Sequence, residues 1–320
     1  MPFEILKEKW ANAINEVKIG ATKEEGGTRG SVIKAGGQTT LPFLTDEGVM
    51  PNAPVIAMEI FDKMPADWPD ILKEQFKDVA NDPAKWAQKC VNEYKARLLC
   101  LRLWSTHPEN GNASAADAVK TVKSVLAAVS VPLIIIGSED EEKDNQVMAA
   151  VSQAAHGERC ILGSAVQKNY KTLTASCLAD SHNIITQSPI DINIAKQVNI
   201  LVCDMGFDSM RIVMDPTVGA LGYGLEYAYS IMERARFAAL SGDKMLSMPF
   251  IAFVGHEAWR AKEAKAPDAE RPEWGPVAER GPIWEAATAA SYIQSGADIL
   301  VMRHPKAIES TQELIDELMG

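Results

Sequence analysis

The sequence predicts an α/β protein built as an eight-stranded (β/α)8 barrel, a TIM barrel, with an N-terminal extension. Three observations predict this class: eight short apolar runs, helical segments between them, and a length of 320 residues, which single α/β barrels often reach. Strands that alternate with helices form a parallel sheet, either open or closed. An open sheet would need a Gly-rich fingerprint after its first strand. The chain has Asp62-Lys63-Met64-Pro65 there, so eight repeats favour the barrel.

The eight apolar runs are rich in Ile, Val and Leu, and most lack a polar face. Parallel strands that are covered on both sides have this composition. The predicted strands are Pro54–Phe61, Leu98–Trp104, Pro132–Ile136, Cys160–Gly163, Asn183–Thr186, Arg211–Met214, Pro249–Val254 and Asp298–Met302.

Helix signals lie between these runs. Asp82-Pro83 combines an N-cap residue with proline at the first helical position and predicts a helix to Lys95. Ser114–Val129 carries apolar residues along one side, as an amphipathic helix does. Gly296 stands where a helix C-cap is expected, just before the eighth strand.

Residues 1–50 are predicted to form an N-terminal extension, and residues 51–320 the barrel. Phe3–Glu16 predicts a short helix. Two β-prone runs, Val17–Ile19 and Ser31–Lys34, flank a Gly-rich loop and predict a hairpin.

A charged, Pro-rich insertion from Arg260 to Pro282 separates the seventh strand from its helix, Ile283–Ser295. We predict that this insertion is a long loop on the functional face of the barrel. An ordinary insertion without a functional role is the alternative.

Composition narrows the classes of function. Hydrophobic residues make up 47% of the chain and charged residues 23%, as in ordinary globular proteins. The net charge of -11 argues against nucleic acid and anionic membrane surfaces. The five cysteines form no CxxC pair, so neither an iron–sulfur nor a zinc site is predicted. No apolar run approaches the ~20 residues that span a bilayer, and no signal-peptide pattern opens the chain. We therefore expect a cytoplasmic protein.

Barrels keep their functional sites at the C-terminal ends of the strands. At the predicted ends, small hydroxyl residues and glycine outnumber acids and bases, so the rim can hydrogen-bond a ligand but offers no catalytic residue that we would name. The residues at these ends are Asp62, Ser105 with His107, Gly137-Ser138-Glu139, Ser164, Gln187-Ser188, Asp215-Pro216-Thr217, Gly255-His256-Glu257 and Arg303-His304.

Common barrel chemistries fit these ends poorly. His107, His256 and His304 lie on different loops, so no metal site is predicted. No lysine lies in a predicted strand, which argues against a Schiff-base enzyme. A pterin-binding methyltransferase would need Asp and Asn at several strand ends. Asp215 and Asp62 supply part of that set, but no Asn stands at a predicted strand end, and Asp215 could instead cap its own turn.

The loop after the sixth strand, Asp215–Gly224, contains three glycines and one tyrosine and opens onto a helix. Glycine lets a backbone approach a ligand closely, and free amides at a helix start favour negative charge. We predict that the loop contacts a ligand. The alternative is that it folds down against its own barrel.

A fragment of a cobalt-ligand motif is also present. Asp180-Ser181-His182 matches the first part of the DxHxxG signature of cobalamin-binding domains, but Ile185 occupies the glycine position. His182 also lies at the start of the fifth strand, at the end of the barrel opposite the site. We interpret His182 as structural.

Three motifs together resemble the small (delta) subunit of the corrinoid iron–sulfur protein, which belongs to the carbon monoxide dehydrogenase/acetyl-CoA synthase system of acetogenic bacteria and related anaerobes. The resemblance covers nearly the full chain, and the three motifs together are far more specific than any one of them. The motifs are Gly36–Phe43 (GGQTTLPF), Pro51–Glu59 (PNAPVIAME) and Pro216–Gly224 (PTVGALGYG) followed by Glu226-Tyr227.

The resemblance implies a heterodimer. Its large subunit carries a cobalamin-binding domain and a [4Fe–4S] cluster, and the corrinoid lies between that domain and the open face of this barrel. The pair accepts methyl from methyltetrahydrofolate through a separate methyltransferase and delivers it to acetyl-CoA synthase in the reductive acetyl-CoA pathway. This chain would then be a non-catalytic subunit that binds no cofactor alone. A stand-alone methyltetrahydrofolate-dependent corrinoid methyltransferase is the alternative, and a metal-dependent hydrolase ranks third.

Strand-end geometry predicts which residues form the corrinoid-facing rim, in the light of this resemblance. They are Ser138, Ser164, Asp215, Thr217, Gly219, Leu221, Gly222 and Tyr223.

Overall fold

The computed structural model describes residues 6–320. The strands are β1 (Glu16–Ile19), β2 (Ile33–Gly36), β3 (Val55–Phe61), β4 (Leu99–Arg102), β5 (Leu133–Ile136), β6 (Ile161–Ala165), β7 (Asn183–Gln187), β8 (Ile212–Asp215), β9 (Phe250–Ala252) and β10 (Ala297–Met302). The helices are α1 (Asp70–Phe76), α2 (Pro83–Asn92), α3 (Ala115–Ala128), α4 (Glu141–Ala154), α5 (Tyr170–Asp180), α6 (Ile192–Asp204), α7 (Leu225–Leu240), α8 (Val254–Ala258), α9 (Lys262–Lys265), α10 (Val277–Ser295) and α11 (Pro305–Met319).

Strands β3 to β10 form a closed parallel barrel in sequence order, with β10 pairing back onto β3. The predicted (β/α)8 barrel is therefore confirmed, and each predicted strand overlaps one of these eight. Alternate strand residues divide the core in two. One set, including Met58 and Leu101, packs against the surrounding helices. The other set, including Ala57 and Cys100, packs in a second cluster within the barrel. Both sets are apolar, which explains why the strands read as continuous apolar runs.

The helix signals between the strands are confirmed as well. The side chain of Asp82 accepts a hydrogen bond from the amide of Lys85 at the start of α2, which ends at Asn92, three residues before the predicted end. Ser114 caps α3 in the same way. Gly296 ends α10 with φ of 104°, a left-handed conformation that glycine adopts at little cost.

The helix predicted over Phe3–Glu16 is wrong for the part that the structure describes, and residues 3–5 lie outside it. From residue 6 onward the chain runs without helix until β1 begins. The amides of Ala11 and Asn12 both donate to the carbonyl of Leu240, at 3.0 Å each. Since Leu240 is the last residue of α7, the amides of this segment bond to a carbonyl at that helix end and are not available to form a helix of their own. Tertiary contact overrode the amphipathic pattern.

The predicted hairpin is confirmed: β1 and β2 pair antiparallel, with Val17 opposite Ala35. Val17 and Ile19 belong to the apolar cluster inside the barrel. The side-chain amide of Asn183, at the start of β7, donates to the carbonyl of Lys18 at 2.8 Å. The hairpin thus closes the N-terminal end of the barrel. The division into an extension and a barrel at residue 50 stays a prediction.

The insertion Arg260–Pro282 is not a bare loop. It contains α9, a short 3-10 turn and the first residues of α10, which begins at Val277 rather than at the predicted Ile283. The guanidinium of Arg280 donates to three backbone carbonyls of the insertion and so supplies hydrogen bonds that an open loop would leave to water. Arg260 lies at the mouth of the barrel.

Within residues 6–320, no helix combines the length and the apolar character that crossing a membrane requires.

Candidate functional site

A cavity of about 280 Å³ opens at the C-terminal ends of the barrel strands. We call it the mouth cavity. The barrel topology brings polar groups from β4 to β8 together around it, because the ends of all parallel strands meet at one face. Its polar lining includes Arg102, Glu139, Ser164, Asn169, Gln187 and Asp215.

Three of the eight residues predicted for the rim line this cavity, namely Ser164, Asp215 and Thr217. They come from β6, from β8 and from the loop after β8. These three residues, predicted from their positions at strand ends, therefore share one surface.

Ser138 lies next to the cavity lining but is itself buried, at 2% exposed. Its hydroxyl donates to Asp144 Oδ1 at 2.9 Å, and its amide donates to the same oxygen at 2.8 Å. Its polar groups are thus used to fix the loop after β5. The residues on either side of it, Gly137 and Glu139, line the cavity instead.

Gly219 and Leu221 face helix α10 rather than the cavity. The amide of Gly219 donates to Tyr292 Oη at 3.0 Å. The amide of Leu221 donates to Thr288 Oγ1 at 3.4 Å. Gly219 and Leu221 therefore match the alternative prediction, in which the loop after the sixth barrel strand folds down against its own barrel.

Gly222 and Tyr223 form the exposed tip of the same loop. The Tyr223 side chain is 51% exposed, and its hydroxyl donates to Glu263 Oε2 at 2.9 Å. Both residues lie outside the mouth cavity, on the rim near α9. A role for them in contact with a corrinoid stays a prediction.

Asp215 sits at the end of β8 and is 2% exposed. Its Oδ1 accepts from the amide of Thr217 at 2.8 Å, so it does cap its own turn. Its Oδ2 accepts from Gln187 Nε2 at 2.9 Å. Burial raises the pKa of Asp215 to about 7, because the two hydrogen bonds only partly offset the loss of water around the charge. This carboxyl can therefore gain or lose a proton near neutral pH.

A buried ion-pair network beside the cavity was missed from the sequence. Glu59 on β3 is fully buried and accepts from Arg102 Nε at 2.7 Å and from Arg303 Nε at 2.5 Å. Burial by itself raises the pKa of Glu59, but the two guanidinium groups outweigh burial and bring the pKa to about 2. The available signal was a charged residue inside each of two apolar strand runs, at Glu59 and Arg102.

His256 and Glu139 extend this network. His256 Nδ1 lies 3.4 Å from Arg303 Nη2. Burial, followed by the charges of Arg102 and Arg303, lowers the pKa of His256 to about 3, so the imidazole is neutral. Glu139 accepts a hydrogen bond from Arg102 Nη1. Over residues 6–320, no three His, Cys, Asp or Glu side chains converge in a way that could hold a metal ion.

Asn169 supplies an asparagine to the mouth, although no barrel strand within residues 6–320 has an asparagine at its C-terminal end. It lines the mouth cavity and is 8% exposed. Its Oδ1 accepts from the amide of Val166 at 2.8 Å. Asn169 lies at the N-cap of α5, four residues past the end of β6. It is therefore not among the residues at the predicted strand ends.

Two sequence features lie away from the mouth. His182 is fully buried, its Nδ1 accepts from the amide of Cys160 at 3.2 Å, and its Nε2 lies 2.9 Å from the carbonyl of Ser152. Its structural interpretation is confirmed. Gln38, in the first resemblance motif, donates to the side chain of Asp298 at the start of β10. This motif therefore braces the N-terminal end of the barrel.

The fold and the mouth define a TIM-barrel protein with a polar, internally ion-paired mouth. Solved structures of similar fold include the dihydropteroate synthase of Xanthomonas albilineans in complex with 7,8-dihydropteroate, with a TM-score of 0.57 and 12% identity over 88% of this chain and 99% of that chain. The dihydropteroate synthase of Coxiella burnetii in complex with pteroic acid also has a TM-score of 0.57 and 12% identity, over 87% and 98%. This likeness is one of fold alone.

Residues 16–311 match the family model of the CO dehydrogenase/acetyl-CoA synthase delta subunit. The acetyl-CoA decarbonylase/synthase complex subunit delta 2 of Methanosarcina acetivorans is 38% identical over 319 residues, or 98% of this chain and 72% of that protein. Subunit delta of Methanocaldococcus jannaschii is 37% identical over 320 residues, or 98% and 76%. The chain belongs to the CO dehydrogenase/acetyl-CoA synthase delta subunit family, as its motifs had indicated.

Proposed function

We propose that this chain is the small subunit of a heterodimeric corrinoid iron–sulfur methyl carrier. Its partner would be a large subunit with a cobalamin-binding domain and a [4Fe–4S] cluster. The pair would take methyl from methyltetrahydrofolate through a separate methyltransferase and deliver it to acetyl-CoA synthase in the reductive acetyl-CoA pathway. The barrel mouth would cover the cobalamin, and the chain would hold no cofactor alone.

The observation that carries the proposal is the chemistry of the mouth. Its guanidinium groups, on Arg102, Arg260 and Arg303, are each paired with carboxylates of the same chain. Its imidazole, His256, is held neutral by burial and by those guanidinium groups, with its pKa at about 3. Burial raises the pKa of the Cys100 thiol, so no thiolate forms on β4. A surface of this kind can cover a reactive group without attacking it.

The residues present fit a cover better than an enclosing pocket. A corrin is a broad macrocycle, and a cavity of about 280 Å³ lies below the usual range for drug-sized ligands. The ring would therefore rest on the rim, with only a small group projecting into the cavity. The ring edge of cobalamin carries amide side chains. Asn169 and Thr217 offer amide and hydroxyl partners for such groups at the cavity edge.

When bound, cobalamin would supply a nucleophilic metal centre that can accept and release a methyl group. The residues of this chain would exclude water and hold protons. Val166, Val218 and Phe253 give the cavity an apolar part, which limits the water near the reactive face. Asp215, with a pKa of about 7 because burial disfavours its charge, would carry or release one proton there without moving.

A stand-alone methyltetrahydrofolate-dependent methyltransferase is the second candidate, and one observation favours it. Asp215, Gln187 and Asn169 all line the cavity, on a barrel of the same fold as a dihydropteroate synthase solved with 7,8-dihydropteroate. Carboxyl and amide groups of this kind could hydrogen-bond a pterin ring. This candidate requires the chain to bind methyltetrahydrofolate and methylate free cob(I)alamin without a partner.

The test is visible absorption after anaerobic purification of the full chain, alone and co-expressed with the large subunit. We expect a colourless chain alone, and corrinoid and iron–sulfur absorption in the complex. A colourless chain that forms no complex, yet methylates added cob(I)alamin from methyltetrahydrofolate, would replace the carrier with the methyltransferase.

Tyr223→Ala tests the cover itself. Tyr223 is half exposed at the loop tip, so we expect the barrel to stay folded while the cofactor in the complex oxidises severalfold faster in air. The matched control is Phe237→Ala, because Phe237 is 57% exposed but packs on Trp10, a residue of the N-terminal segment. Equal oxidation rates in both variants would remove Tyr223 from the cover, and unfolding of Tyr223→Ala would make it part of the core.

A further inference from the structure

We propose that the mouth cavity contains a binding site for a small monocarboxylate, formed on Arg102 and blocked in this structure by the chain's own Glu139. The proposal concerns free ligands of a few carbon atoms. It does not depend on the corrinoid role, because it rests on side chains of this subunit alone.

Arg102 is the fixed part of the site. Its side chain is 2% exposed, lines the mouth cavity and is anchored through Nε to the buried Glu59 at 2.7 Å. Nη1 binds Glu139, and Nη2 makes no hydrogen bond to any residue that the structure describes. A guanidinium held at one edge presents its other nitrogens in the fork that recognises a carboxylate.

Glu139 is the removable part. Its side chain is 57% exposed, in contrast to the fully buried Glu59 on the other side of the same guanidinium. It reaches the cavity from the loop after β5, where its own φ of 75° lies in the left-handed region that glutamate rarely adopts. A carboxylate that is largely in water loses little free energy when it leaves an ion pair, because water solvates it again.

The backbone beneath Glu139 is held independently of its side chain. Asp144 Oδ2 accepts from the amide of Glu139 at 3.0 Å, and Asp144 Oδ1 accepts from the amide of Ser138 at 2.8 Å. The Glu139 side chain can therefore swing outward while the loop stays in place. The exchange needs rotation about side-chain bonds only, which exposed residues make rapidly.

The charges of the buried ion-pair network beside the cavity favour an anion once Glu139 has left. Two guanidinium groups, Arg102 and Arg303, then face the single carboxylate of Glu59. His256 stays neutral, because burial and the neighbouring guanidinium groups hold its pKa at about 3. Asp215 is a buried acid of the lining, and burial is the largest cause that raises its pKa, to about 7 while Glu139 is in place. Within the network of Glu59, Arg102 and Arg303, one negative charge would restore the balance. The other acids of the lining already have partners: Glu257 pairs with Arg260, Glu141 pairs with Lys168, and Asp144 accepts from backbone amides.

The shape of the cavity limits the anion to a small one. Ile136, Val218 and Phe253 supply apolar lining beside Arg102, which suits a short alkyl group. The volume of about 280 Å³ lies just below the range of drug-sized ligands, so it admits a short monocarboxylate but not a large metabolite. A short monocarboxylate satisfies both the charge and the apolar lining, whereas an inorganic anion leaves the apolar lining without contact.

The test is titration of the full chain with sodium acetate at pH 6 and constant ionic strength. Binding is followed through the NMR signal of the Arg102 Nε–H group. The compared proteins are wild type, Glu139→Ala and Glu141→Ala. Glu141 is the matched control, because it also lines the cavity but pairs with Lys168 at 3.8 Å rather than with Arg102. Acetamide serves as the neutral ligand of the same shape.

We expect Glu139→Ala to bind acetate at least about tenfold more tightly than wild type, since the competing carboxylate is gone. Glu141→Ala should change the affinity by less than about twofold, as a screened surface charge does. Acetamide should not shift the Arg102 signal. Equal gains in the two variants, an equal response to acetamide, or no acetate-dependent shift in Glu139→Ala would each overturn the proposal. None of these results depends on the partner subunit.

Discussion

Tyr292 and Gly219 exchange two hydrogen bonds: Tyr292 Oη accepts from the amide of Gly219 at 3.0 Å and donates to the carbonyl of the same residue at 2.5 Å. One hydroxyl on α10 thus satisfies both backbone groups of a buried residue in the loop after β8. The loop that carries the family motif is therefore held from outside the barrel, by helix α10.

Tyr292→Phe should destabilise the protein, because it leaves a buried amide and a buried carbonyl without partners. We expect a loss of about 2 kcal/mol in the free energy of unfolding, measured by urea denaturation. Tyr223→Phe is the control, since its hydroxyl bonds to Glu263 at the surface, and its loss should stay within about 0.5 kcal/mol. Similar losses in both variants would contradict the tethering role of Tyr292.

Asp215→Asn should remove a pH dependence of the free energy of unfolding. Burial raises the pKa of Asp215 to about 7 in the folded chain, above about 4 for an unfolded aspartate. The folded state therefore holds this proton more tightly, so stability is greatest below pH 4, falls as the pH rises to 7, and is level above that. At pH 8 the free energy of unfolding of the asparagine variant should exceed that of wild type by on the order of 4 kcal/mol, since the two pKa values differ by about three units.

The comparison at low pH is the internal control for Asp215→Asn. Near pH 4 both proteins carry a neutral group at this position, and Gln187 can rotate its amide to accept from the asparagine. The two urea curves should therefore approach each other there. A constant difference between the two proteins from pH 4 to pH 8 would rule out titration of Asp215 as the cause.

Glu158→Gln should weaken the attachment of the hairpin loop. Glu158 accepts from Arg29 Nε at 2.7 Å, and the side chain of Arg29 is 1% exposed, so neutralising the carboxylate leaves a buried charge unpaired. We expect a loss on the order of 3 kcal/mol in the free energy of unfolding. The control is Glu25→Gln, whose ion pair with Arg159 at 3.0 Å lies near the surface. Its loss should be much smaller, and equal losses would contradict the argument.

The barrel was predictable because its strands are covered on both faces. A run such as Leu133–Ile136 is apolar at every position in sequence and buried at every position in the structure. The N-terminal segment was not predictable in the same way. Its pattern suits an amphipathic helix, but the amides of Ala11 and Asn12 find a partner at Leu240, more than 200 positions later. Local periodicity contains no information about such a contact.

The mouth was only partly predictable for a related reason. Asp215 is the last residue of β8 and Thr217 lies two residues after it, so the rule that barrel sites form at strand ends finds both. Glu59 lies inside β3, and Arg102, the last residue of β4, falls inside a predicted strand that runs on to Trp104. Their importance depends on Glu59 bonding both to Arg102 on the next strand and to Arg303 across the closure of the barrel. Asn169 belongs to a helix start. Position along one strand cannot reveal a pairing between distant strands.

The hairpin also sets an order of events during synthesis. Val17 and Ile19 are synthesised before all eight strands of the barrel, yet they share their apolar cluster with Ile299 and Val301 of β10, the last barrel strand to be made. Their burial cannot be complete until the whole barrel has been made. For that period the nascent chain exposes an apolar strand pair, and such exposure invites association with other chains. Rapid docking of β10 therefore protects the hairpin as well as closing the barrel.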